Sequence, residues 1–211
     1  MTNKKNVFNQ IINACMLGIT LLTAYQSYTD FNVMWVTSFI ASLAGTFGTM
    51  ATAYKWKYAG LPNMVQNVSN VFVSTASGVY GDAIMAGYYL VTETLSLKIW
   101  TDHSKGNKVE VDKTFDWKRV SFLVVITGIG LGLLSFILGG QMIILDALNN
   151  ATGAVAQYLQ KIERKRVGWV LWLVTNVIGI VIWYRLGNTQ LAVMYAVFTL
   201  NSIRGYLNWS E

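Results

Sequence analysis

Eight stretches of roughly twenty mostly apolar residues, joined by short polar turns, fill this chain: 8–28, 33–54, 61–80, 82–100, 120–138, 142–159, 167–186 and 189–209. A hydrocarbon core about 30 Å thick is crossed by about 20 helical residues. Within lipid each such backbone must satisfy its own N–H and C=O groups. The pattern therefore predicts an all-α integral membrane protein with about eight transmembrane helices. Composition agrees, since 54% of the 211 residues are hydrophobic and 12% charged, whereas a soluble domain is about 25% charged.

A net charge of +6 raises the question of nucleic acid, and the placement of the cations answers it. With the N-terminus inside, Lys4, Lys5, Lys55, Lys57, Lys98, Lys105, Lys108, Lys113, Lys118, Arg119, Lys161, Arg164, Lys165 and Arg166 all fall on the cytoplasmic side. Only Arg185 falls opposite, and Arg204 is expected to reach the cytoplasmic interface by extending its side chain. This asymmetry follows the positive-inside rule. The basic surplus is a topology signal, with both termini cytoplasmic and a lipid bilayer, not nucleic acid, as the partner. Lys4 and Lys5 ahead of an apolar stretch could also open a signal peptide. That stretch, however, has spanning length, no clear small-residue cleavage site, and a counterpart 109 residues later. Cys15 is the single cysteine and His103 the single histidine, so no intrachain disulfide is available and a zinc or haem site has almost no ligands. No metal and no cofactor are expected.

The offset of 109 residues recurs along the chain: Asn67 answers to Asn176, Lys55 to Arg164, Lys57 to Arg166, Ala44-Gly45 to Gly153-Ala154 and Trp100 to Trp209. Spans two to four thus echo spans six to eight. Copies four spans apart enter the membrane in the same direction, which makes this a parallel repeat with its axis along the membrane normal. The expected organisation is a tail and extra helix in 1–32, a three-helix bundle in 33–100, a cytoplasmic loop and linker helix in 101–141, and a second bundle in 142–211. Gly128 and Gly132 form a G-x-x-x-G in the linker, with Gly130, Gly139 and Gly140 nearby, and suggest close helix packing. Pro62 sits at the start of the third span, where its missing N–H costs least. The mixed-charge segment 101–117 reads as a solvated cytoplasmic connection.

Polar side chains in lipid face the bundle interior or a water-filled cavity. Four spans carry such seams at helical spacing: Asn63, Asn67, Asn70, Ser74 and Ser77 on the third; Tyr89, Glu93, Ser96 and Trp100 on the fourth; Asp146, Asn150, Gly153, Gln157 and Gln160 on the sixth; Trp169, Trp172, Asn176, Gly179 and Trp183 on the seventh. Amides and hydroxyls can simply tie helices together, at about 0.6 kcal/mol per bond. The number of amides together with tryptophan at membrane depth exceeds what association requires and points to the wall of a site for a flat, polar ligand. Trp100, Trp117 and Trp209 lie near span ends and are expected as interfacial anchors. Trp172 lies deeper, on the seam of Asn176, and suits ring stacking. A carboxylate near mid-span costs at least a few kcal/mol and is usually functional or paired; Glu93 could balance a cationic ligand, carry a coupling proton, or pair with Arg204. Asp146 lies nearer the outer boundary, at the mouth of the expected cavity.

There is no H-E-x-x-H, no G-x-S-x-G and no histidine within a span, so neither catalytic residues nor an intramembrane enzyme are expected. Polar seams could also line an ion channel.

W-x-x-W-x-x-x-N at Trp169, Trp172 and Asn176, Ala156-Gln157-Tyr158-Leu159, Tyr80-Gly81-Asp82 with Trp100, and the closing Gly205-Tyr206-Leu207-Asn208-Trp209 resemble the PnuC family of vitamin transporters. The resemblance runs from about Val33 to Trp209. It implies a SWEET-like 3+1+3 arrangement in a bacterial cytoplasmic membrane, with facilitated diffusion of nicotinamide riboside and trapping by cytoplasmic phosphorylation. Thiamine, then riboflavin or a deoxynucleoside, are the alternative substrates, and proton coupling through Glu93 the alternative mode. The substrate site so implied and read comprises Trp169, Trp172, Asn176, Gln157, Asn67, Asn63, Glu93, Asn150 and Tyr89. Family members commonly have glutamine where this chain has Glu93, and glycine where it has Ser96. A carboxylate suits the cationic rings of nicotinamide riboside and thiamine better than neutral riboflavin. The sequence leaves a homo-oligomer open.

Overall fold

The computed structural model describes residues 2–28, 30–76, 80–137, 143–185 and 189–210. Ser77, Gly139 and Gly140 lie outside them, as do the side chains of Tyr80, Asp82 and Trp183. The helices are α1 (Thr2–Gln26), α2 (Val33–Ala53), α3 (Gly60–Ala76), α4 (Tyr80–Asp102), α5 (Trp117–Ile137), α6 (Ile143–Lys161), α7 (Gly168–Arg185) and α8 (Thr189–Asn208). Each coincides with one expected span, and Pro62 falls in the first turn of α3. Among the described residues, three helices are apolar and long enough to cross a membrane by composition alone, within α1, α2 and α5. Helices α3, α4, α6, α7 and α8 do not reach that standard; the described stretch of α7, Gly168–Ile182, is apolar but shorter.

The chain divides into two compact units, Met1–Glu110 and Val111–Glu211. In the first, α1 packs on α2, α2 on α3, and α3 on α4; in the second, α5 packs on α6, α6 on α7, and α7 on α8. Small residues set these approaches. A Cβ at Gly48 of α2 would stand 2.5 Å from Asn63 Cγ of α3, and one at Gly45 equally close to Gln66 Cδ. Gly128 and Gly132 of α5 face Ala151 and Ala147 of α6, so the G-x-x-x-G packs helices, as expected. Hydroxyls add ties: Thr20 to Thr46 at 2.6 Å between α1 and α2, and Thr175 to Thr152 at 2.7 Å between α7 and α6.

The repeat appears in the backbone itself. Lys55 and Arg164, matched by the 109-residue offset, are the non-glycine residues with positive φ among the described residues, at 62° and 55°. After α2 the turn closes as a Schellman motif, with Lys55 N–H donating to Thr52 O at 3.0 Å and Trp56 N–H to Ala51 O at 3.0 Å. After α6, Lys165 N–H reaches Leu159 O at 2.7 Å. Each turn is fastened by part of the 101–117 connection. In the first unit Val109 N–H donates to Lys55 O at 2.9 Å, and in the second Asp112 N–H donates to Arg164 O at 3.0 Å.

That connection is more ordered than a solvated loop. Ser104–Lys105 (β1) and Lys108–Val109 (β2) form an antiparallel hairpin, turned by Gly106 at φ 62° with Asn107. Gly-Asn between two short runs is a two-residue hairpin signal that the mixed charge of the segment obscured. In the second unit, burial would raise the Asp112 pKa, but the Thr114 N–H and hydroxyl and the Lys165 ammonium outweigh it and hold the carboxyl below its ordinary value. A lowered folded pKa gives stability that is complete above the unfolded value, about 4, and lost as pH falls through the folded one. The Thr114 N–H, 2.8 Å from Asp112 Oδ1, should therefore keep its exchange protection, corrected for intrinsic rate, at pH 5 and lose it only in stronger acid. Loss already at pH 6 would count against this reading.

Candidate functional site

In the second unit the expected residues meet where α6, α7 and α8 pack. Trp169 is 2% exposed and lies edge-on to Trp209, with ring centroids 5.7 Å apart. It rests on the bare backbone of Gly205, where a Cβ would come within 2.5 Å of Trp169 Cζ2. Trp172 is half-buried and packs against the cluster of Val155, Leu159 and Leu171. Its indole N–H donates to Gln160 Oε1 at 3.2 Å, which fixes the plane of the ring. Asn176, 6% exposed, donates to the Ser202 hydroxyl of α8 at 3.0 Å. Gln157 is buried on the same face of α6 as Gln160. Asn150 lies toward the other end of α6 and donates to Asp146 at 3.0 Å, so it is set apart from the tryptophans. The unit thus joins a sealed tryptophan, an oriented and partly accessible one, and an anchored amide. That combination can hold a flat ring and read one polar group on its edge.

In the first unit Asn63 serves as a helix tie. It seats against Gly48 and donates to Thr52 at 3.4 Å. Asn67, 5% exposed, makes no hydrogen bond among the described residues. Glu93, on α4, is 3% exposed, and the Ser96 hydroxyl lies 2.7 Å from its carbonyl and 3.4 Å from its carboxylate. Tyr89 is half-buried and tilted against Tyr88 with centroids 5.6 Å apart.

Some expectations change. Trp100 and Trp209 are fully buried instead of anchoring at the interface; as repeat partners near the C-terminal ends of α4 and α8 they are interior packing. Trp117, 60% exposed and edge-on to Phe115, keeps the surface position expected of it. Arg204 does not extend to the interface. It is 0% exposed and donates to Asn201 Oδ1, one turn back on α8. Ser202 is a further residue of this site, and the offset that matches Asn67 with Asn176 matches Glu93 with Ser202.

The model of a family described as nicotinamide mononucleotide transporter matches residues 36–211. Among curated proteins, the chain is 26% identical over 193 residues to a nicotinamide riboside transporter PnuC of Neisseria mucosa, covering 82% of this chain and 73% of that one. It is 25% identical over 211 residues to the nicotinamide riboside transporter PnuC of Haemophilus influenzae, covering 88% and 92%. A crystal structure of the vitamin B3 transporter PnuC superposes with a TM-score of 0.74 at 22% identity, covering 96% of this chain and 90% of the other. At that identity the likeness establishes the fold, an all-helical integral membrane protein.

Proposed function

The chain belongs to the nicotinamide mononucleotide transporter family, and from that membership we propose that it carries nicotinamide riboside across a bacterial cytoplasmic membrane by facilitated diffusion. Phosphorylation in the cytoplasm would then trap the vitamin. The observation that carries this reading is the pairing, one turn apart on α7, of a half-buried indole held by Gln160 and an amide held by Ser202. A cationic pyridinium stacked on an indole gains about 0.5–2 kcal/mol from the cation–π interaction, which supports the substrate-binding role that the resemblance implies for this motif.

The proposed site takes Trp172 and Asn176 as ring contacts, Trp169 as the wall behind them, and Gln157 as a further amide. From the sequence reading, Asn67, Asn63, Glu93 and Tyr89 of the first unit, and Asn150 away from the ring contacts, are proposed as further substrate contacts. The 3+1+3 arrangement, with its bundles in 33–100 and 142–211, and cytoplasmic termini belong to the same proposal. The positive-inside count supports the orientation. Family membership makes the protein a transporter, and no chemical step is assigned to any residue.

Calorimetry on the purified protein should give saturable binding of nicotinamide riboside, weaker binding of thiamine, and little heat with riboflavin or thymidine. Binding of riboflavin or thymidine alone would overturn the substrate. In liposomes uptake should stop at equal concentrations on both sides, and uphill uptake driven by a pH gradient would replace uniport with proton coupling, with Glu93 as the first candidate.

A further inference from the structure

The bonds of Ser202 decide what Asn176 can recognise. A serine hydroxyl has one hydrogen and accepting lone pairs. The Phe198 carbonyl, 3.0 Å from Ser202 Oγ, can only accept, so that hydrogen is spent there. The Asn176 amide lies 3.0 Å from the same oxygen and must turn its N–H toward it. One of the two amide orientations is thereby selected, and Oδ1, which has no hydrogen bond among the described residues, is the group left over. Trp172 stands one helical turn before Asn176, on the same face. A ring lying on that indole carries its in-plane substituent to the level of the amide.

We propose that Ser202 is a positioning residue that presets Asn176 as a hydrogen-bond acceptor, making the site selective for a ring carrying a carboxamide over the same ring carrying a carboxylate. The inference rests on the reading that Trp172 and Asn176 hold the vitamin ring. A carboxamide offers Oδ1 an N–H. A carboxylate offers only acceptors, and two acceptors facing each other in a buried site are left unpaired. The device belongs to the second unit alone. At the matching position of the first unit stands Glu93, not a hydroxyl.

The test is binding of nicotinamide riboside and nicotinic acid riboside to the purified full-length protein, followed by calorimetry. The wild-type protein should prefer the amide by about tenfold or more. Ser202→Ala frees the Asn176 amide to flip and should remove most of that preference. Ser202→Thr, whose hydroxyl makes the same bond to the carbonyl one turn back, should keep it. In Asn176→Asp the acceptor is present whatever occupies position 202, so adding Ser202→Ala should leave the preference unchanged. A preference that survives Ser202→Ala, or is lost in Ser202→Thr, overturns the relay while leaving the substrate reading intact. The threonine variant keeps the test decisive if the alanine variant does not fold. Failure of the wild-type protein to bind either riboside overturns the substrate reading and this inference with it.

Discussion

Trp172→Ala should weaken nicotinamide riboside binding by about 10- to 100-fold, the loss expected when a ring-stacking platform worth about 1–3 kcal/mol is removed. The indole is half-buried and cannot rotate freely, because its N–H is held 3.2 Å from Gln160 Oε1. Alanine removes both the platform and the bond that orients it. Trp172→Phe should fall between, since a phenyl ring restores a stacking face but has no N–H for Gln160. Trp117 supplies the control: it is 60% exposed at the start of α5, against Phe115. Trp117→Ala should leave affinity within about twofold, consistent with a surface substitution worth at most about 0.5 kcal/mol. Calorimetry on folded, monodisperse variants checks the series. Equal losses in Trp172→Ala and Trp117→Ala would remove the stacking role.

Much of this arrangement was legible because membrane helices announce themselves by length and the repeat announces itself by offset. Lys55 and Arg164 were matched from sequence as basic residues, and they turn out to share a left-handed backbone. Asn67 and Asn176 were matched as amides, and both are buried. What failed were inferences from position alone. Trp100 and Trp209 stand at span ends, yet are buried, because an aromatic near a helix end can pack inward as well as sit at the lipid boundary. For Arg204 the distance from the end of α8 predicts snorkelling, but Asn201 one turn back offers it a buried acceptor. The Ser202 relay was hidden for another reason. A lone serine in an apolar helix usually bonds its own backbone and signals nothing by itself; its role depends on facing Asn176 across the α7–α8 contact.

That contact also carries the largest expected effect on stability. Gly205→Ala would place a Cβ within 2.5 Å of Trp169 Cζ2, in a site where the indole is 2% exposed and backed edge-on by Trp209. The ring has no space to retreat into, so α8 must move or Trp169 must leave its rotamer. Overpacking of this kind costs about 1–3 kcal/mol, against a gain of about 1 kcal/mol for replacing glycine by alanine in a helix. The net result, a destabilisation of up to about 2 kcal/mol, should lower thermal stability in detergent. Gly130→Ala is the matched control, since nothing lies within 4 Å of its Cβ position, and only the propensity gain should remain. Trp169→Leu should relieve much of the Gly205→Ala penalty, giving the non-additivity expected of residues in contact. The repeat explains why this glycine belongs where it is. At the matching positions the first unit has Gly60 on α3 and Ser96 on α4, so the smaller partner lies on the earlier helix there and on the later helix here. A Cβ at Gly60 would in turn meet Leu97 Cδ2 at 2.9 Å and the Glu93 carbonyl at 3.1 Å. Both crossings need a glycine, but only the second trades its position for a tryptophan. The first indole of the motif can therefore be accommodated in α7 only while position 205 stays without a side chain. A Gly205→Ala variant as stable as the wild type would show that Trp169 is not held in this way.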